Sequence, residues 1–200
     1  MNNTKYNGTA IALHWLVAVF IVVAFAVGQY MADLELSPWK LKIFAWHKCA
    51  GVTIFLLVLY RIYWRLTHPV PALPASMSEN MKKGSGVTHL FLYLLMVTIP
   101  ITGWLHSSAA GVSVVYLNFI PLPNLIDKNK ELSDLFKEVH ESLNWALLGL
   151  VIMHVAATLK HQFMDKDNLL DQKLPYYSLF PSPLRQKVRQ KAQLILNLHL

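Results

Sequence analysis

The feature that most restricts this chain is the run Ala10–Tyr30, twenty-one residues without a charged side chain. A bilayer's hydrocarbon core, about 30 Å thick, is crossed by roughly 20 apolar helical residues. A secretory signal has a shorter apolar region and a small-residue cleavage site. Here only Lys5 precedes the run and no clear site of that kind follows, so it reads as a retained spanning helix. Charged residues are 14% of the 200-residue chain, against about 25% in soluble domains. That excludes an ordinary soluble globule. The single Cys49 excludes an intramolecular disulfide framework, a zinc ribbon and a cysteine-ligated iron–sulfur cluster.

Three more spans follow. Phe44–Leu66 has a charge-free centre, Cys49–Tyr60, too short to cross alone, so Lys48, Arg61 and Arg65 must snorkel to the headgroups. The prolines of His68–Pro74 enforce a loop. The next span, Val87–Ser107, with a kink expected at Pro100, lies in a stretch free of Asp, Glu, Lys and Arg from Gly84 to Ile126. The remainder, Ala109–Ile126, reads either as a short fifth span or, given Gly111, Pro121 and Pro123, as an apolar loop or half-helix on the bilayer surface. The last span is Val139–Lys160. The expected fold is all-α, an integral-membrane four-helix bundle over residues 1–175 with spans near 10–30, 44–66, 87–107 and 139–160. Residues 176–200 form a cationic tail, read as an interfacial helix or a solvated extension.

Four spans put the N-terminus, the 61–86 loop and the C-terminus on one side, with twelve Lys and Arg against four acidic residues. The other side has six basic and seven acidic residues. The positive-inside rule makes the first side cytoplasmic. The +7 net charge thus reports orientation, and it calls for no nucleic acid.

Nine histidines carry the chemistry, seven of them inside spans or near their ends. Ionisable residues at membrane depth are rare and face interior sites. On the last span His140 and His154 are fourteen residues apart, a rise of about 21 Å that returns to within about 40° of one face. His47 matches the depth of His140, and His14 that of His154. Two imidazole pairs stacked about 20 Å apart is the layout of two bis-histidine haems, although imidazole suits iron, zinc and copper alike. A zinc hydrolase is disfavoured, because His140-Glu141 is followed by Asn144 where H-E-x-x-H needs a second histidine. Gly51, Gly103, Gly149, Ala156 and Ala157 can admit a haem or serve ordinary helix packing.

The chain resembles the bacterial cytochrome b(561) family of integral diheme b-type cytochromes over roughly residues 6–175. The resemblance is carried by His14-Trp15, Trp46-His47 through Gly51, Leu59-Tyr60-Arg61 with Arg65, His89-Leu90 with Tyr93, and Pro100 through Gly103. Val139-His140-Glu141, His154, His161 and Lys166-Asp167-Asn168 complete it. It implies two haem b groups, His14 and His154 holding the cytoplasmic-side one and His47 and His140 the periplasmic-side one. It also implies a bacterial inner-membrane location, ubiquinone as acceptor near His161, and superoxide as one permitted donor.

Other residues keep more than one reading. His89 reads as an alternative ligand, a hydrogen-bond partner of a propionate or quinone, or packing. Arg61 and Arg65 suit haem propionates, or simply anchor the span. Lys48 and Lys137 either draw a small anionic substrate to the outer haem or merely anchor helix ends. The leading expectation is a quinone-reducing diheme cytochrome. Its rival is an electron-relay anchor for a separate dehydrogenase or redox partner protein, with Ala109–Ile126 as docking surface.

Overall fold

The computed structural model describes residues 6–71 and 77–160. Four helices dominate: α1 (Gly8–Asp33), α2 (Pro38–Thr67), α3 (Glu79–Ala109) and α4 (Lys130–Lys160), with a small hairpin, β1 (Val115–Tyr116) and β2 (Ile120–Pro121), between the last two. His161 and residues 176–200 lie outside the described residues.

Each helix begins at a side chain that satisfies an orphan backbone donor. Asn7 Oδ1 accepts from Ala10 N–H at 2.8 Å, Ser37 Oγ from Lys40 N–H at 3.2 Å, and Ser78 Oγ from Met81 N–H at 3.4 Å. Asn129 Oδ1 accepts from Leu132 N–H at 3.0 Å. Pro38, with no N–H to satisfy, occupies the first turn of α2. These caps carry the helices past their apolar stretches: α4, at 31 residues, spans about 46 Å. All four are long and apolar enough to cross a membrane. α3 stays helical through Pro100, whose missing N–H leaves the Met96 carbonyl without its usual partner.

Neighbours in sequence are neighbours in space, α1 on α2, α2 on α3 and α3 on α4. Val17, Ile54, Val58, Leu92, Met96, Ile99 and Leu147 form the buried core, an apolar plug drawn from all four helices. Val22, Leu56, Ile152 and Met153 are exposed, as lipid-facing residues should be.

Residues 109–126 are neither a fifth span nor a half-helix. The chain leaves α3, turns at Gly111 (φ 75°) and forms the antiparallel hairpin around Leu117 (φ 52°) and Asn118 (φ 65°). Positive φ at both central positions is the turn that matches strand twist. Asn takes that conformation readily; Leu does so at a cost of about 1–2 kcal/mol. Two prolines and the strand pairing replace the helix that an apolar run alone would allow.

Candidate cofactor sites

At the hairpin end of the bundle, α2 presents His47 and α4 presents His140. Their ring centroids are 6.3 Å apart with planes at 84°. Two imidazoles bound to opposite faces of one metal ion by bonds of about 2 Å have ring centres about 6–6.5 Å apart. The rings border a small cleft lined also by Phe25, Gly51, Pro100 and Asn144.

Glycine makes room for both rings. A Cβ on Gly28 would stand 3.3 Å from His47 Cε1, and one on Gly103 would stand 3.1 Å from His140 Cε1. A Cβ on Gly51 would meet nothing within 4 Å, because Gly51 borders the cavity. The His140 ring is held from behind. Its Nδ1–H donates to the Ile99 carbonyl at 2.9 Å, with the Thr102 hydroxyl at 3.2 Å, which leaves Nε2 as the available lone pair. His47 Nδ1 is buried without a well-formed hydrogen bond among the described residues, the Ala24 backbone being the group that comes near it. A cofactor carrying an axially ligated metal fits this arrangement: two imidazoles, a slot between them and small residues at their backs.

The opposite end, marked by Arg61 and Arg65, is built differently. His14, Arg61, Trp64, Arg65, His68 and Tyr93 are among the residues lining a small cleft. Arg61 lies over the Tyr93 ring at 5.5 Å, a cation–π contact that fixes the guanidinium. Trp64 stacks on His68 at 3.7 Å and donates its N–H to Asn7 Oδ1. His154 stands edge-on to His89, centroids 5.4 Å apart, and His89 Nδ1–H donates to the Ser85 carbonyl at 2.7 Å. The structure thus gives His154 an imidazole neighbour on α3, and gives His14 a cavity shared with two guanidiniums.

One regularity escapes a reading confined to histidines. His14 and Gly28 on α1, His47 and Arg61 on α2, His89 and Gly103 on α3, and His140 and His154 on α4 are each fourteen residues apart. Every helix therefore carries one member of each site on about the same face, about 21 Å apart. The hairpin-end layer is Gly28, His47, Gly103 and His140; the other is His14, Arg61, His89 and His154. The repeat was present in the sequence, where Gly103 could already admit a haem or serve packing, but Gly28 signals only helix packing until the ring it faces is seen.

The remaining candidates fall around these layers. Lys48 Nζ donates to the Val112 carbonyl at 3.3 Å, so it ties the hairpin to α2. Lys137 is exposed and stands 3.8 Å from Glu141. His106, near the hairpin end of α3, has Nδ1 2.9 Å from the Ser133 carbonyl and bridges α3 to α4. Among the described residues no cluster of three or more His, Cys, Asp or Glu gathers, so imidazole pairs are what the bundle assembles.

The profile of the prokaryotic cytochrome b561 family matches residues 5–173. Cytochrome b561 homolog 2 of Escherichia coli is 31% identical over 171 residues, covering 85% of this chain and 91% of the relative. The E. coli cytochrome b561 homolog 1 is 26% identical over 86% of this chain and 97% of the relative. A Yersinia pestis protein named probable superoxide oxidase CybB is 28% identical over 86% of this chain and 96% of its own length.

Proposed function

This chain belongs to the prokaryotic cytochrome b561 family, a bacterial membrane electron-transfer family with b-type haem, and from that premise we propose that it conducts electrons from the hairpin end of the bundle to a quinone at the arginine end. In this reading His47 and His140 hold one haem, and His14 and His154 hold a second. Haem held by such imidazole pairs would supply one-electron transfer.

The protein's own residues do the rest. Gly28 and Gly103 let the hairpin-end imidazoles seat, and the Ile99 carbonyl fixes the His140 tautomer. The plug of Val17, Ile54, Val58, Met96 and Leu147 keeps water from between the two layers. Arg61 and Arg65 offer guanidinium forks to propionate carboxylates. His161, beyond the described residues, and His89 are the proton-bearing groups assigned to the quinone. The positive-inside count sets the arginine end in the cytoplasm.

The donor proposed is superoxide: two superoxide anions each give up one electron and leave as dioxygen, while the quinone takes up two electrons and two protons. The Yersinia relative's name supports a small donor. The observation that carries the reading is the facing of His47 and His140 across a glycine-backed cavity. The test is an optical spectrum with haem quantification of the purified protein, before and after superoxide. Two b haems per chain, reduced by superoxide and reoxidised by quinone, are expected. Two haems inert to superoxide would remove that donor, and haem-free protein would overturn the reading.

A further inference from the structure

The hairpin between α3 and α4 has no part in either layer, yet it is tied down at several points. Trp104 Nε1–H donates to the Pro123 carbonyl, the Leu125 amide to Ser108 Oγ and the Asn129 amide to the Ala109 carbonyl. The Tyr116 hydroxyl meets Thr53 Oγ1 at 3.3 Å. That last contact shows how far along α2 the Tyr116 side chain reaches. Thr53 lies six residues further along α2 than His47, about 9 Å towards the arginine end, inside the charge-free stretch of α2. The chain leaves α3 at Ala109, six residues outward of Gly103, and then folds back down the flank of α2.

What it presents there is apolar. Residues 109–126 contain no Asp, Glu, Lys or Arg. Phe119 is 72% exposed, Leu117 48% and Ile120 40%, with Val112 and Leu125 also exposed. Backbone groups near the tip are paired internally, Phe119 N–H to Tyr116 O and Leu122 N–H to Val114 O, which lets such a segment leave bulk water. Leu117 occupies a left-handed position where Asn or Gly is the ordinary choice. An apolar side chain is kept where the backbone disfavours it. The other connection at this end, Asp33–Ser37, is short and carries Asp33 and Glu35.

We propose that the Tyr116–Ile120 tip is a membrane-seated wedge that inserts Leu117 and Phe119 into the acyl–headgroup boundary of the leaflet at the hairpin end. The occupant of this apolar surface is phospholipid, argued from its depth against α2 and its continuity with the lipid-facing helix surface. The anchoring holds the Lys48–Val112 and Thr53–Tyr116 ties in place.

The test uses the full chain in phosphatidylethanolamine–phosphatidylglycerol nanodiscs, with Cys49→Ser and a nitroxide on Phe119→Cys or Leu117→Cys. Leu36→Cys on the polar connection and Leu56→Cys on the lipid face of α2 serve as references. The ratio of collisions with oxygen to those with a nickel chelate is expected several-fold higher at 117 and 119 than at 36, approaching that at 56. Wild-type protein gives a second readout: chymotrypsin cuts after Phe119 in detergent and not in nanodiscs, while the Asp33–Ser37 connection is cut in both. Ratios at 117 and 119 equal to that at 36, or cleavage after Phe119 in nanodiscs, would overturn the proposal. So would protection that appears only when a soluble redox protein is added, which would make the tip a protein-docking surface.

Discussion

The two ends of the bundle solve the same problem with different residues. At the hairpin end two imidazoles face each other at 6.3 Å, and the other two helices contribute Gly28 and Gly103. At the arginine end the positions corresponding to Gly28 and Gly103 are His14 and His89, Arg61 stands where His47 does, and His154 meets His89 at 5.4 Å. One layer is emptied of side chains so that two rings can take a group between them. The other is filled with polar groups that can hydrogen-bond, carry charge or move a proton. Such a division suits a path whose one end only passes electrons while the other joins electron to proton transfer.

The strongest way to break this comparison is to remove ligands. If two haems are held as proposed, His47→Ala or His140→Ala should lower haem content to about half and abolish the hairpin-end spectral band, because one imidazole of that pair is lost outright. His89→Ala should keep both haems and change only the spectrum and quinone kinetics of the arginine-end site. Haem loss in His89→Ala equal to that in His154→Ala would make His89 the ligand and reverse the pairing of His14 with His154. Pyridine haemochrome quantification decides between them.

How much of this was legible beforehand depends on the residue. The apolar runs announce four helices because a bilayer demands about 20 residues of one character. The helix ends were less visible, since they are set by caps such as Ser37 with Pro38, Ser78 and Asn129, which owe nothing to lipid. His140 and His154 declare a shared face by arithmetic alone. Gly28 does not, because a glycine in an apolar helix looks the same whether it faces a helix, a lipid or an imidazole. The hairpin was hidden for a related reason: Leu117-Asn118 lacks the Asn-Gly or Asp-Gly signature of its turn.

The next largest effect concerns the glycines. Gly103→Ala places a Cβ 3.1 Å from His140 Cε1 and 3.2 Å from Nδ1. The ring must shift, at about 1–3 kcal/mol, and hairpin-end haem occupancy should fall while the other site stays filled. Gly28→Ala, at 3.3 Å from His47 Cε1, should act in the same direction and more weakly. A sharper comparison pairs Gly51→Ala with Gly149→Ala. Neither new Cβ meets anything within 4 Å, so both should be neutral or gain up to about 1 kcal/mol of helix propensity in haem-free protein. Only Gly51 borders the cavity. Gly51→Ala alone should therefore weaken haem binding and shift the spectrum; equal behaviour of the two variants would mean that nothing is bound there.

The smallest expected effect tests how His140 is held. Thr102 is buried and lies 3.2 Å from His140 Nδ1, while its hydroxyl also donates to the Ile99 carbonyl at 2.8 Å. The Thr102 hydroxyl and the His140 Nδ1–H converge on the same carbonyl oxygen. Thr102→Val keeps the shape and removes the hydroxyl, so the ring retains Ile99 as acceptor and loses one neighbour. A single buried hydrogen bond contributes about 0.5–1.5 kcal/mol, too little to expel a doubly ligated group. The expected result is unchanged haem stoichiometry with a shifted midpoint potential at the hairpin-end site alone, since competition for the Ile99 oxygen sets how strongly Nδ1–H donates and hence how basic Nε2 is. Thr102→Ser should restore the wild-type potential. A shift at both sites would mean that the substitution acts through packing of α3, and no shift would leave Ile99 as the sole orienting group of His140.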